Sequence, residues 1–60
     1  MTSDDFNAWL DHLSLNNQQA GERLGISRNT VARYRLEGAP ASIGLACSAI
    51  AMNLPPWKQY

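Results

Sequence analysis

The chain has 60 residues, and its five basic and five acidic side chains give a formal net charge of zero. A chain this short buries only about 60% of the surface that it exposes when unfolded, which predicts a single domain over residues 1–60 and leaves little room for an enzyme pocket. The balanced charge argues against a protein that coats nucleic acid by bulk attraction.

The first predicted helix spans about residues 4–13. Thr2 or Ser3 is placed to cap it, and Asp4 and Asp5 favour its positive end. Apolar side chains recur at positions i, i+3, i+4 and i+7, namely Phe6, Trp9, Leu10 and Leu13. This stripe predicts the face that the helix buries, although an aromatic ligand box is the alternative for its two aromatic residues.

The second predicted helix spans residues 17–24. Asn16 precedes it, and Gln19 follows three residues later, which is the spacing of a capping box. Small side chains on its inner face allow another helix to cross closely. The inner residues are Ala20, Gly21 and Leu24.

A tight turn and a third helix, over about residues 28–36, are predicted next. Gly25 follows the last apolar position of the second helix, where glycine adopts the left-handed conformation at little cost. Ile26 is expected to pack between the two helices, and Ser27 to cap the third. Val31 and Tyr34 lie three residues apart and are expected to point inward. The outward-facing residues are then Arg28, Asn29, Ala32, Arg33 and Arg35.

This segment resembles the Cro and phage-repressor class of helix-turn-helix proteins, which are also called XRE-like. Their pattern is L-[TSN]-Q-x-x-L-A-x-x-L-G-[VI]-S-x-x-x-[VI]-x-x-[WY]-E-x-G, and the resemblance covers about 24 of the 60 residues. The matching residues are Leu15, Asn16, Leu24, Gly25, Ile26, Ser27, Val31, Tyr34 and, one position late, Gly38. The chain departs from the pattern with Asn17 for Gln, Ala20 for Leu, Gly21 for Ala and Arg35 for a Glu that forms a structural ion pair in the family. The short chain and its E-G-A-P and L-P-P-W motifs also resemble compact phage or prophage regulators, including anti-CRISPR-associated repressors.

The resemblance implies that the third helix enters the major groove of double-stranded DNA. Its contact positions imply Arg28, Asn29 and Arg33 as base readers and Asn17 as a contact to phosphate or a base edge. Ser27 and Thr30 are further candidates for phosphate or a base. Arg35 is expected either at a phosphate or in an intramolecular pair with Glu37 or a carboxylate of the first helix.

Charge is distributed unevenly along the chain. Four of the five basic residues fall within thirteen positions around the turn, whereas three aspartates lie in the first helix. Such segregation favours a protein that presents one face to phosphates, and a solvated helix face is the alternative. Arg23 belongs to this basic group and is a further phosphate candidate.

The fourth predicted helix, over residues 41–53, contains no charged residue. One apolar stripe joins Ile43, Cys47, Ile50 and Leu54, and a second on another side joins Leu45, Ala49 and Met52. Because a small monomer cannot cover both, we expect a homodimer, with contacts through Ile43, Cys47, Ile50, Leu54 and Trp57. The alternative is that this helix only covers the other three. Trp57, in the Pro-Pro-Trp tail, is expected to fold back onto the dimer or the core.

Several classes of protein are not expected. A single cysteine and a single histidine offer neither an internal disulfide nor a metal cluster, and no catalytic set converges. No apolar stretch approaches the roughly 18 residues that span a bilayer, and the acidic start is unlike a signal peptide. We therefore expect a cytoplasmic protein that is not an enzyme and has no cofactor, no small-molecule ligand and no membrane association.

The sequence thus predicts an all-α, compact four-helix helix-turn-helix domain that binds DNA. The expected function is transcription regulation by a dimeric repressor of its own operon. It would bind an inverted-repeat operator. The alternative is a small helical module that binds a protein partner and has no specific affinity for DNA.

Overall fold

The computed structural model describes residues 1–58, and within them it contains four α-helices and no strand. These are α1 (Ser3–Leu13), α2 (Asn17–Leu24), α3 (Arg28–Glu37) and α4 (Ala41–Ala51). The all-α, four-helix prediction is confirmed, and each predicted boundary lies within two residues of the observed one. Residues 59 and 60, which the predicted domain includes, lie outside the described part.

Side-chain caps fix the starts of the first three helices. Thr2 Oγ1 accepts a hydrogen bond from the Asp5 backbone N–H at 3.1 Å, and the Asp5 carboxylate accepts one from the Thr2 backbone N–H. Asn16 and Gln19 form the same reciprocal box, with distances of 2.8 and 3.0 Å. Ser27 caps α3 by accepting from the Thr30 backbone. Each cap satisfies N–H groups that a helix start leaves without intrahelical partners.

Left-handed residues end α1 and α2 and follow α4. Gly25, with φ 74°, ends α2 as predicted, and Ser14 adopts a similar conformation after α1. Asn53, with φ 57°, lies outside α4, which ends two residues before the predicted boundary. After α4 the Leu54 N–H donates to the Ala49 carbonyl at 2.9 Å. This bond satisfies a carbonyl of the last helical turn, and the chain leaves the helix at this point.

The predicted stripe of α1 forms the centre of the core. Phe6 is completely buried and meets Tyr34 edge to face, with ring centroids 5.8 Å apart. The buried Trp9 indole donates from Nε1 to the Cys47 carbonyl at 2.9 Å, which ties α1 to α4. The stripe is therefore a packing surface, and its aromatic residues form no ligand box. The buried apolar residues are Phe6, Trp9, Leu10, Ala20, Val31 and Cys47.

The close approach of α2 to the turn depends on Gly21. A Cβ atom at this position would lie 2.6 Å from the Ile26 carbonyl oxygen, a distance that real Cβ contacts essentially never reach. The Ile26 N–H in turn donates to the Gly21 carbonyl at 2.9 Å. The backbone of the turn therefore packs directly on α2, and this contact sets where α3 begins.

The fourth helix packs one side on the core and leaves another in solvent. Cys47 is buried within its own chain, and Ile43 and Ile50 are partly buried against the same core. Because Cys47 is buried inside its own chain, its side chain has no surface left for a second copy, which corrects its expected place in a dimer contact. A dimer contact through the partly buried Ile43 and Ile50 stays a prediction. The exposed stripe is the other one, with Leu45 and Met52.

No helix within residues 1–58 has the length and apolar character needed to cross a membrane.

Candidate nucleic-acid interface

The outer face of α3 presents a row of exposed side chains opposite its buried anchor. Val31 is fully buried and Tyr34 partly buried, so the inward orientation predicted for both is confirmed. This anchoring turns the remaining positions outward. The exposed residues on that side are Arg28, Asn29, Ala32, Arg33 and Leu36.

Arg28 and Asn29 are free to bind a ligand. Both lie in the first turn of α3, and within residues 1–58 their side chains form no hydrogen bond or ion pair. The fork of a guanidinium and the amide of an asparagine can each form two parallel hydrogen bonds to one base. The first turn of α3 therefore offers two unoccupied groups of the type that distinguish bases.

The hydroxyls of Ser27 and Thr30 already have partners. Ser27 Oγ accepts from the Thr30 backbone at 3.2 Å and lies 3.0 Å from Thr30 Oγ1. Ser27 thus caps α3 as predicted, and its hydroxyl also holds the neighbouring threonine. A contact from either residue to phosphate or a base stays a prediction.

Arg33 is held only weakly. Its Nε lies 3.9 Å from Glu37 Oε2, and the two side chains are 62% and 67% exposed. The guanidinium carbon also lies 5.7 Å from the centre of the Tyr34 ring. An exposed i,i+4 pair stabilises a helix by only about 0.3–0.5 kcal/mol, so a base or phosphate can displace Glu37 at little cost.

Arg35 has partners other than those expected. Its Nε donates to Asn7 Oδ1 and its Nη1 donates to Asn17 Oδ1, both at 2.8 Å. Glu37 pairs with Arg33, and among the described residues no carboxylate lies within 4.0 Å of Arg35. The expected pairing with Glu37 or an acid of the first helix is therefore wrong: two neutral amides occupy that role.

Asn7 is the residue of this cluster that the sequence did not reveal. Its Nδ2 donates to the backbone carbonyls of Ser3 and Arg35, both at 2.9 Å. Asn7 lies 28 positions before Arg35, and no local spacing signals a contact over that distance. Leu36 was also missed, although its spacing from Asn29 and Arg33 places all three on one side of α3.

Arg23 lies on a different part of the surface. With Leu24 it borders a recess of about 430 Å³, which α4 and the tail close through Ile50, Leu54 and Pro55, among others. We use the term α4–tail surface for the exposed large apolar residues of α4 and of the segment that follows it, namely Leu45, Met52, Leu54 and Trp57. Of these four residues, Leu54 lines the recess. The Trp57 side chain is 89% exposed, so it does not fold back onto the core of its own chain.

Comparison of the chain with protein-family models, with curated proteins and with solved structures finds no match. The resemblance to the Cro and phage-repressor class therefore stays a prediction that depends on the residues quoted for it.

Proposed function

We propose that the chain is a sequence-specific DNA-binding regulator of transcription that acts as a dimeric repressor of its own operon, as in phage or prophage regulators. The observation that carries this proposal is the outer face of α3. There the side chains of Arg28 and Asn29 are exposed and have no partner among residues 1–58, and Arg33 is weakly held, on a helix whose orientation the buried Val31 fixes.

Base recognition follows from the chemistry of these side chains. In the major groove, guanine offers two acceptors to an arginine fork, and adenine offers an acceptor and a donor to an asparagine amide. Arg28 and Arg33 would bind guanines, and Asn29 an adenine. Ala32 and Leu36 on the same side supply apolar contacts suited to the methyl group of thymine.

Two copies are needed for tight binding. One helix covers few base pairs, and a chain of zero net charge gains little from general attraction to phosphates. A twofold dimer would bind an inverted repeat with half-sites about 34 Å apart. Bound over a promoter, such a dimer represses by excluding the polymerase.

The α4–tail surface is the proposed dimer contact. A twofold interface brings the same patch of two copies together, so the patch must be complementary to itself. Residues 41–57 carry no charge, and an uncharged surface meets its own copy without like-charge repulsion. The exposed Leu45 and Met52, on α4 and directly after it, therefore join the predicted Ile43 and Ile50 as proposed contacts, and the buried Cys47 is no longer among them.

Selection from a random pool of duplexes tests DNA recognition. The wild type is expected to enrich an inverted repeat, and Arg33→Ala to bind that duplex no better than a scrambled one. Arg23→Ala is the matched control, because it removes the same charge from the recess beside α4 and should keep the sequence preference. Enrichment of no sequence by the wild type would refute the proposal.

Sedimentation equilibrium tests the dimer. Leu45→Glu combined with Met52→Glu places charges on the exposed stripe and should convert a dimer into a folded monomer. Ala8→Glu, on an exposed position of α1, is the control that should stay dimeric. A wild type that is monomeric at about 100 micromolar, where a Kd in the micromolar range would already give dimers, contradicts this part of the proposal.

A protein-binding module is the second candidate function, and the exposure of Trp57 beside two prolines favours it. Here Trp57→Ala would abolish partner binding and Arg33→Ala would leave it intact. Capture of a partner that survives nuclease treatment, together with failure of the duplex selection, would favour this function over DNA binding.

A further inference from the structure

The recess beside α4 has walls that suit an apolar side chain. It has a volume of about 430 Å³, and α2, α4 and the tail border it. Most of its lining is aliphatic, with Leu24 from α2, Ala46, Ala49 and Ile50 from α4, and Leu54 after the helix. Apolar surface gains free energy when it leaves water, so an apolar group that enters the recess is stabilised there.

Trp57 lies directly beside this recess and stays in solvent. Pro55 and Pro56 line the recess, Trp57 is the next residue, and its side chain is 89% exposed. Each proline fixes its own φ and restricts the residue before it to extended conformations, so the segment is stiff. The residues that form the wall therefore also direct Trp57 away from it. The chain carries a large aromatic side chain and an apolar recess that it does not combine within one copy.

A second copy of the chain can combine them. In a twofold contact, residue i of one copy meets residue j of the other, and the reverse contact forms at the same time. Because Trp57 is one residue from the recess wall, both contacts lie close to the axis. Residues 41–57 carry no charge, so the two copies approach without like-charge repulsion from this segment.

Arg23 at the recess favours an aromatic occupant over an aliphatic one. A guanidinium is attracted to the face of an aromatic ring, and tryptophan gives the strongest interaction of this kind. Arg23 is exposed, and among the described residues no carboxylate lies within 4.0 Å of it. Such a contact at an exposed site changes affinity by only about twofold to fivefold. Arg23→Ala therefore still serves as the control in the duplex selection.

The area that two tryptophan side chains can bury is a large share of what a stable dimer needs. One tryptophan buries about 150–250 Å², and the walls that receive it bury a similar area. Two such contacts bury about 600–1,000 Å² in total. A specific interface buries about 1,200–2,000 Å², so the exposed Leu45 and Met52 would contribute part of the remainder.

We propose that, in the dimer, Trp57 of each copy inserts into the recess of the other copy. This inference rests on the proposed dimer and names the contact that holds it together. It does not depend on DNA recognition, because the outer face of α3 takes no part in it. Large aromatic side chains buried in pockets dominate the affinity of protein interfaces, so Trp57 should contribute more than any other residue of this contact.

Two variants remove the contact from opposite sides. Trp57→Ala removes the inserted side chain and keeps the recess, whereas Ala49→Phe fills the recess from its own wall and keeps Trp57. Ala8→Phe is the matched control, because it adds the same ring at an exposed position of α1. Circular dichroism at a concentration where the chain is monomeric shows that each variant folds. Trp57→Ala should keep the wild-type unfolding midpoint there.

Sedimentation equilibrium then measures the dimer. We expect Trp57→Ala and Ala49→Phe each to raise the dissociation constant by at least about a hundredfold. Trp57→Phe, which keeps an aromatic ring, should stay within about tenfold of the wild type. Ala8→Phe should keep the wild-type constant.

Mixing the two disruptive variants gives the sharpest test. In a mixed dimer, Trp57 of the Ala49→Phe copy meets the open recess of the Trp57→Ala copy, so one of the two contacts is restored. The mixture should therefore dimerise more tightly than either variant alone and less tightly than the wild type. A dimer held by contact between the two Trp57 rings gives no such gain.

Indole fluorescence provides a second readout. Of the two tryptophans, Trp9 is buried within each copy and Trp57 is exposed. Dilution from dimer to monomer should move the emission to longer wavelengths, because Trp57 returns to water. Trp57→Phe should remove this change. Emission that stays constant while the wild type dissociates contradicts the insertion.

The outcomes separate this inference from the proposed function. A wild-type dimer that Trp57→Ala leaves intact overturns the inference while the proposed dimer stands, and so does a mixture that gains no affinity. A monomeric wild type overturns both the inference and the dimer, whereas the duplex selection still decides on DNA recognition. A dimeric wild type whose variants recover on mixing supports the inference even if the selection enriches no sequence.

Discussion

The first three helices and the fourth are built differently. Side chains cap α1, α2 and α3, and five of the six buried apolar residues come from these helices. The start of α4 has no side-chain cap, and Cys47 is its one buried residue. In the first region, nearby side chains satisfy the backbone groups at the helix starts and most apolar side chains of the core are buried. The second region leaves Leu45 and Met52 exposed to solvent.

This difference suggests separate roles: the first three helices determine the fold, and the outer side of α4 determines association with other molecules. In α1 to α3, caps, turn residues and apolar spacing all favour the same structure, which is the condition under which a sequence specifies a fold. In α4, the apolar residues exceed what one small core can cover. A large apolar patch that remains exposed indicates a binding surface. We therefore expect substitutions in the first region to change stability and those on the outer side of α4 to change assembly.

The largest contrast is expected between Phe6→Ala and Leu45→Ala. Truncating a fully buried phenylalanine costs about 3–5 kcal/mol, whereas an exposed leucine contributes less than about 0.5 kcal/mol. Urea unfolding followed by circular dichroism, at a concentration where the chain is monomeric, measures both. Similar losses for the two variants would show that α4 belongs to the same cooperative core.

Alanine substitutions at two glycines, one in each region, are expected to change the free energy of unfolding in opposite directions. Gly21→Ala forces a methyl group against the Ile26 carbonyl and should cost about 2 kcal/mol. In Gly44→Ala the nearest atom to the new methyl group is Met1 Cβ at 3.5 Å, an ordinary contact. Replacing a glycine inside a helix should then raise the free energy of unfolding by about 0.5–1 kcal/mol. Thermal unfolding of both variants provides the measurement, and a stable Gly21→Ala would contradict the close approach.

The cap of α2 should have a moderate effect. Asn16→Ala removes the acceptor for the Gln19 N–H, whose present distance is 2.8 Å, and should cost about 1 kcal/mol. Gln18→Ala is the control, because Gln18 is exposed and no cap involves its side chain. Equal unfolding midpoints in urea for these two variants would indicate that tertiary packing alone holds the start of α2.

Ionisation of the Cys47 thiol is expected to have the smallest effect on stability at neutral pH. Burial raises the pKa of its thiol from 9.0 to about 11, since the interior disfavours the thiolate. The unfolded thiol therefore ionises first, so its contribution to stability is complete below pH 9 and is lost as the pH rises from 9 towards 11. Unfolding free energies measured from pH 7 to 10.5 should fall more steeply for the wild type than for Cys47→Ala. Parallel pH profiles would exclude this contribution.

Local sequence signals predicted most of the fold because they depend on near neighbours. Asn16 with Gln19, Ser27 with Thr30, and Gly25 after Leu24 each act within a few residues. The end of α4 was placed two residues late, because Asn53 adopts the left-handed conformation where its polar side chain suggested only a final helical residue. The outward direction of Arg28 and Asn29 followed from the inward direction of Val31.

Contacts between distant residues were beyond such reasoning. The partners of Arg35 are Asn7 of α1 and Asn17 of α2, which lie 28 and 18 positions away in the sequence. No spacing within one helix predicts contacts over such distances. The choice between the two apolar stripes of α4 was equally open, since both have helical spacing. Packing decided it: the Trp9 indole binds the Cys47 carbonyl and turns that side of the helix inward.

The sequence by itself determined four helices, the caps of the first three and an outward row of basic and amide side chains, because these depend on backbone hydrogen bonds and periodicity within one segment. Tertiary structure alone decided which side of α4 stays exposed and which neutral partners hold Arg35. These features depend on how separate helices meet, and that arrangement is set by the packing of the whole core.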